Sequence, residues 1–279
     1  MKILFDQVSY IISESVTKKY STSFSSAVKM LGPNIRQDIH AIYGFVRLAD
    51  EIVDSFHDFD KRALLDEFQM EYVEARKRKI SMNPVMHAFV LTVEKYNIPD
   101  QMVYDFLSSM RLDLEKTIYD TQEEYEKYIY GSADVVGLMC LKVFVEGDDE
   151  AFNRLKSSAM RLGSAFQKVN FLRDLKDDYE ILNRSYFPNV NFDNLSVDQK
   201  NRIIQEINDD FEAALVGIKK LPASSRFGVY TAYKYYRRLL LKLNRTPSEH
   251  ILTTRIRVSD PVKLLLLTKS YVNFKLNLI

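Results

Sequence analysis

Seven prolines punctuate a chain whose apolar residues otherwise recur at helical spacing, and that punctuation most constrains the fold. Pro33, Pro84, Pro99, Pro188, Pro222, Pro247 and Pro261 fall between stretches of i, i+3, i+4 periodicity, where helices start or stop. Sustained apolar–polar alternation, the mark of half-buried strands, is absent, and glycine is scarce at eight in 279 residues. The chain therefore reads as all-α. The spacing predicts helices over residues 3–19, 35–56, 60–79, 100–116, 122–145, 148–182, 196–220 and 224–244, with one more between MNP at 82–84 and NIPD at 97–100. SYFPNVNFDN reads as a loop. With no Gly-, Ser- or Pro-rich linker and no internal repeat, residues 1–279 are expected to form a single domain.

An apolar fraction of 46% supports a sizeable core, and a net charge of +1 argues against a general nucleic-acid binder. The lone Cys140, inside GLMCLKVF, permits no internal disulfide, fits a reducing cytoplasm and reads as a small buried hydrophobe. No run approaches the ~18 apolar residues of a spanning helix, and the apolar stretch of MKILFDQVSY is too short for a signal peptide. A soluble chain is the expectation.

One predicted helix carries a face too many. In QKVNFLRDLKDD, Gln167, Asn170, Asp174 and Asp178 are spaced by three, four and four residues, which stacks them on one side. Leu162, Leu172, Leu175 and Tyr179 mark an apolar face, and Arg173, Lys176, Asp177 and Glu180 point a third way. A surface helix needs only two faces; the third implies a polar pocket. Helix 35–56 repeats the pattern with Tyr43, Arg47, Asp50 and Asp54 beside the apolar Ile42, Val46, Ala49, Val53 and Phe56.

Each stripe contains a D-x-x-x-D pair. Aspartates four apart on a helix repel unless a cation lies between them, and hard oxygen ligands suit Mg²⁺, which bridges to substrate phosphates. A single such pair is ordinarily a solvated acidic face, whereas two pairs continuing polar stripes favour a metal site. Arg47 and Arg173 would supply forked donors for phosphate oxygens, or else pair along the helix with Glu51 and Asp177. Arg255 and Arg257 are a further phosphate pair or ordinary surface charge. Ser21, Ser23, Ser25 and Ser26 either cap a helix or hold an anion. In YGSADVVGLM, the small residues Gly131, Ser132, Ala133 and Gly137 mark close helix packing or the floor of a ligand tunnel. His40, His57, His87 and His250 form no metal motif, and Walker A, G-x-S-x-G and G-x-G-x-x-G are absent.

KYSTSFSSAVKML, AIYGFVRLADEIVD, YIYGSADVVGLM, QKVNFLRDLKDD and RSYFP, in this order, resemble the squalene/phytoene synthase family over about Tyr20 to Arg257. Within it the chain is most similar to the bacterial phytoene synthases. The resemblance implies a helical isoprenoid-synthase fold with a central active-site cavity. Asp50, Asp54, Asp174 and Asp178 would bind Mg²⁺, with Mn²⁺ an alternative. Ser21, Ser23, Arg47, Gln167, Asn170, Arg173, Tyr236 and Arg255 would contact diphosphate or its metal shell. Tyr43 and Tyr128 would border the reacting carbons, and Phe24, Ala133, Val136, Gly137 and Met139 would line an apolar tunnel. Asp134 stands where the family pattern has glycine.

The implied reaction joins two geranylgeranyl diphosphates head to head (C1–C1′), through a cyclopropylcarbinyl diphosphate, to phytoene in carotenoid biosynthesis. No NADPH would be needed. The alternative is a C30 product, dehydrosqualene or squalene, from two farnesyl diphosphates; a non-catalytic helical factor is a rival of another class. An apolar product and the basic, apolar segment 234–279 imply either peripheral contact with the inner face of the cell membrane or a packed terminal helix with a solvated basic face. A carotenoid desaturase would act downstream.

Overall fold

The computed structural model of the protein describes residues 1–180, 184–188, 190 and 195–276, with the side chains of 177–180 outside that description. Thirteen α-helices are described: α1 (Lys2–Tyr20), α2 (Thr22–Val28), α3 (Pro33–Asp54), α4 (Lys61–Arg78), α5 (Pro84–Lys95), α6 (Asp100–Glu115), α7 (Gln122–Ile129), α8 (Val135–Phe144), α9 (Asp149–Glu180), α10 (Val197–Ile218), α11 (Ala223–Arg245), α12 (Ser248–Ile251) and α13 (Asp260–Lys275). Among the described residues there is no strand, only a parallel bridge between Ile118 and Ser185. The all-α expectation holds.

The prolines do what their chemistry allows. Pro33, Pro84 and Pro261 sit in the first turns of α3, α5 and α13, where the missing N–H costs nothing. Pro99, Pro222 and Pro247 are the N-cap residues of α6, α11 and α12. Elsewhere side chains cap: Thr121 with Glu124 and Ser196 with Gln199 form capping boxes at α7 and α10.

Helix α3 runs through the core. Ile35, Ile39, Ala41, Ile42, Phe45 and Ala49 are essentially inaccessible, and Phe45 stacks on Phe89 at 3.9 Å and on Phe68 at 5.0 Å between ring centroids. Against α3 lies α1, whose inward stripe is not apolar. Ser9, Ser13 and Thr17 are fully buried, each hydroxyl donating to the carbonyl four residues back. Small, internally satisfied side chains let the two backbones approach, and a Cβ at Gly44 would stand 3.3 Å from Ser13 Cβ. His87 Nε2 and Asp6 Oδ1, 2.7 Å apart, tie α1 to α5.

The helix expected over 122–145 is continuous but passes through a π-helical turn at Tyr130–Asp134 between α7 and α8. This turn is wedged between α6 and α9. A Cβ on Gly131 would come within 2.8 Å of Ser109 Cβ, and one on Gly163 of α9 within 2.7 Å of the Ala133 carbonyl oxygen. Close packing thus accounts for Gly131, while Ser132, Ala133 and Gly137 of YGSADVVGLM also line a cavity. Gly163→Ala is expected to destabilise the protein by about 1–3 kcal/mol, because a backbone carbonyl cannot rotate away from the added methyl; urea denaturation measures this.

Candidate active site

Helices α2, α3, α6, α8, α9, α10 and α11 enclose a cavity of about 560 Å³. One end is charged and the other apolar. On α3 the lining stripe is Ile39, Ile42, Tyr43, Val46, Arg47, Asp50 and Asp54. On α9 it runs from Leu155 through Leu162, Phe166, Gln167 and Asn170 to Asp174. Both are i, i+3, i+4 stripes whose apolar residues turn polar toward the helix C-terminus. The three faces of α9 exist: Ala165, Val169, Leu172 and Leu175 enter the core, Arg161 reaches solvent, and the polar stripe faces the cavity. Leu162 and Arg173, expected on the other two faces, stand on the cavity wall.

Four acids and four arginines line the charged end among the described residues: Asp50, Asp54, Asp113 and Asp174 with Arg47, Arg173, Arg184 and Arg255. Asp174 is held by Arg173 Nε and Arg255 Nε, each at 2.8 Å from Oδ1. Asp54 Oδ1 accepts from Arg184 Nη1 at 2.7 Å. Asp50 has no hydrogen-bond or ion-pair partner among the described residues; burial, and then the Asp54 charge, push its carboxyl up to about 8. Arg47 pairs with Glu51, as its intrahelical alternative foresaw, and lies 4.6 Å over the Tyr20 ring. Its Nε is nonetheless buried without an acceptor. Arg173 pairs with Asp174; its expected partner Asp177 has a side chain outside the described residues. The side chain of Asp178 lies outside them too, on the helix that carries Asp174.

Ser21 caps α2 by accepting from Phe24 N at 3.3 Å and also lines the cavity. Phe24 stacks on Tyr43 at 4.8 Å, and Tyr43 is pushed up to about 12 by burial. Tyr236 donates to Asn170 Oδ1 at 3.4 Å and stacks on Phe166 at 4.0 Å. Ala133, Val136 and Gly137 contribute to the wall. Cys140 does as well, half-buried rather than fully, its thiol pushed up to about 12 by burial.

Two expected residues miss the wall. Met139 is fully buried in the core, because the α8 lining stripe is Val136, Gly137, Cys140, Leu141 and Phe144 and position 139 lies about a third of a turn off it. Ser23 stands about a quarter-turn from the stripe Phe24, Ala27, Val28 and Leu31 and does not reach the cavity. Asp134 also faces elsewhere: buried, it accepts from Ser164 Oγ at 2.7 Å on the back of α9, and burial raises its carboxyl to about 6.

Arg184, Asp113, Tyr186 and Phe171 line the same end without having been given a role from sequence, although all but Asp113 lie within the RSYFP and QKVNFLRDLKDD motifs. Arg184 is buried and donates to Asp54, to the Asp113 carbonyl oxygen at 3.0 Å and to the Tyr186 hydroxyl at 3.5 Å. Burial opposes its charge, but Asp113, Tyr186 and Asp54 outweigh burial and keep the guanidinium protonated. Tyr128 OH donates to Asp113 Oδ2 at 2.9 Å. Tyr128 and Phe171 both stack on Tyr186, at 5.3 and 3.9 Å, which builds an aromatic wall beside the acids. The signal for Asp113 was present: α6 offers Val103, Phe106, Leu107 and Met110 inward, then a carboxylate on the same face.

The chain matches the sequence family described as squalene/phytoene synthase over residues 17–261. It belongs to that family. Its members are prenyltransferase-type enzymes, and this squalene/phytoene synthase family member is one by the same match. The 15-cis-phytoene synthase of Paracoccus sp. is 26% identical over 274 residues, covering 91% of this chain and 88% of that protein. The phytoene synthase of Arthrospira platensis is 29% identical over 262 residues, covering 85% and 84%. A dehydrosqualene synthase solved with a ligand has the same fold, with a TM-score of 0.85 at 24% identity over 97% of this chain and 98% of that one. The squalene synthase of Alicyclobacillus acidocaldarius aligns with a TM-score of 0.74 at 20% identity over 86% and 94%.

The family uses a divalent metal with prenyl diphosphates, and the residues here fit such a group. Asp50 is a half-buried carboxylate on the cavity wall with no cation beside it at bonding distance, and Arg47 Nε is a buried donor without an acceptor. Among the described residues no three acids, histidines or cysteines gather as a ready-made cage. Mg²⁺ does not require one, because it keeps waters and shares one or two carboxylates with substrate phosphates.

Proposed function

We propose that this enzyme is a phytoene synthase, condensing two geranylgeranyl diphosphates head to head, with residues 1–279 acting as one domain. The observation that supports room for a C20 tail is the length of the cavity lining. On α9 the lining extends from Asp174 to Leu155, about 28 Å along the helix axis. Four extended isoprene units need about 20 Å and three about 15 Å, so that length admits a diphosphate head with a C20 tail as well as with a C15 one. The names of the curated relatives support the same reading.

In this reading Asp50, Asp54, Asp174 and Asp178 hold Mg²⁺, which when bound supplies positive charge to a departing diphosphate. Arg47, Arg173 and Arg255 stand beside it as further donors, and Ser21, Gln167, Asn170 and Tyr236 border the same space. Tyr43, Tyr128, Tyr186 and Phe171 offer π faces to the allylic cation. The second chain's double bond attacks C1, and loss of a proton from that chain's own C1 closes the ring of the cyclopropylcarbinyl diphosphate; ionisation, rearrangement and loss of a second, terminal proton then give phytoene.

An apolar product leaves toward lipid. Helix α13 packs on α11 through Phe227 and Phe274, at 5.2 Å, yet leaves Leu264, Leu265, Tyr271, Val272 and Leu276 exposed among Lys263, Lys269 and Lys275. That surface supports peripheral membrane contact and transfer to a desaturase-type enzyme. No helix among the described residues is long and apolar enough to cross a membrane.

Purified protein with Mg²⁺ and no NADPH should convert geranylgeranyl diphosphate to a C40 hydrocarbon, with kcat/KM at least about tenfold above that for farnesyl diphosphate. A C30 product as the favoured outcome in mass spectrometry would reject the chain-length assignment.

A further inference from the structure

Proton loss at the end of this reaction needs an acceptor, and one carboxylate of the cavity is built as one. Asp113 ends the inward stripe of α6, is 8% exposed and lines the cavity. Its Oδ2 accepts from Tyr128 OH at 2.9 Å, while Oδ1 is buried with no partner among the described residues. Tyr128 therefore fixes the rotation of the carboxylate and leaves one oxygen uncommitted. Arg184 donates through Nη1 to Asp54 and through Nη2 to the Asp113 backbone carbonyl, so its guanidinium lies between the two acids. Asp113 is thereby set apart from the aspartate pair on α3 and beside the aromatic wall of Tyr128, Tyr186 and Phe171.

We propose that Asp113 Oδ1 takes the terminal proton, with Tyr128 and Arg184 as its positioning residues. The inference rests on the head-to-head condensation argued above and holds for either chain length. After rearrangement one of the two joined C1 carbons belongs to an allylic cation. The C–H bond on its neighbour breaks, the bonding pair becomes the central C=C bond and fills the cation, and the proton goes to Asp113. No oxidant or reductant enters. Burial, partly offset by Arg184 and the Tyr128 hydrogen bond, lifts the carboxyl to about 7, so a proton taken near neutral pH can be returned to water.

The test is Asp113→Asn, assayed with whichever of the C15 and C20 diphosphates the wild-type enzyme converts. The amide keeps an acceptor for Tyr128 and removes a buried charge, so the fold should survive. Hydrocarbon formation should fall about 10²–10⁴-fold. Diphosphate release should fall far less, with the difference appearing as the cyclopropylcarbinyl diphosphate and water-captured alcohols. Asp113→Glu should restore part of the hydrocarbon. An unchanged hydrocarbon fraction would overturn the proposal, as would hydrocarbon and diphosphate release falling in parallel. If Asp113→Asn does not fold, Tyr128→Phe decides: it frees the carboxylate to rotate and should raise the alcohol fraction several-fold, and an unchanged partition there rejects the proposal. A wild-type enzyme that converts neither diphosphate rejects the underlying reading instead.

Discussion

Asp50→Asn should lower turnover by about 10²–10³-fold while leaving the protein folded. The reason lies in what surrounds Asp50. It is half-buried on the cavity wall, lies one helical turn from Asp54 and has no cationic partner at bonding distance among the described residues, so in the metal-free protein its charge is a liability. The same fact fixes a pH dependence. An acid whose folded pKa of about 8 exceeds its unfolded value near 3.8 contributes stability that is fully present below the lower value and lost as pH rises through the upper one. Metal-free wild-type protein should therefore lose stability between about pH 4 and pH 8. Asp50→Asn should flatten that slope without abolishing it, because Asp113, raised to about 7, remains. Thermal unfolding at pH 5 and pH 8 without divalent metal measures both effects. An asparagine variant as active as wild type would remove Asp50 from the metal site.

Arg184→Leu should cost about 3 kcal/mol of stability and most of the activity. The guanidinium is buried and spans Asp54, the Asp113 carbonyl and Tyr186. Removing it strands the Asp54 charge and a carbonyl oxygen, a loss of about 3–5 kcal/mol for a buried pair. The low end applies because the Asp54 side chain is 36% exposed. Arg184→Lys should recover only part of this, since an ammonium cannot place two donors in the fixed fork that reaches Asp54 and the Asp113 carbonyl together. Chemical denaturation reads the difference; a loss below about 1 kcal/mol would mean that water replaces the bridge.

Much of this site could be read along single helices. Tyr43, Arg47, Asp50 and Asp54 share one face of α3, and Gln167, Asn170 and Asp174 one face of α9, because helical spacing alone puts them there. What spacing does not encode is which neighbour a face meets. Met139 satisfied the composition of a tunnel wall but fell off its angle, and Ser23 failed in the same way. Spacing offered Arg173 either a phosphate or Asp177; among the described residues it meets the adjacent Asp174, a contact that i, i+4 reasoning does not foresee, and the Asp177 side chain lies outside them. Arg184 and Asp113 come from segments 71 residues apart and meet only through the fold, so no local pattern joins them. The polar inward stripe of α1, Ser9, Ser13 and Thr17, runs against the rule that core faces are apolar. The π-turn at Tyr130–Asp134 follows from contacts with α6 and α9 rather than from its own residues.

The central claim is that the aspartates of α3 and α9 bind diphosphate through a divalent cation. Calorimetric titration of the full chain with inorganic diphosphate, with and without Mg²⁺, tests it most directly. The account predicts binding that requires Mg²⁺ and is lost in both Asp50→Asn and Asp174→Asn. Equal affinity without Mg²⁺, or undiminished Mg²⁺-dependent binding in both variants, would contradict it.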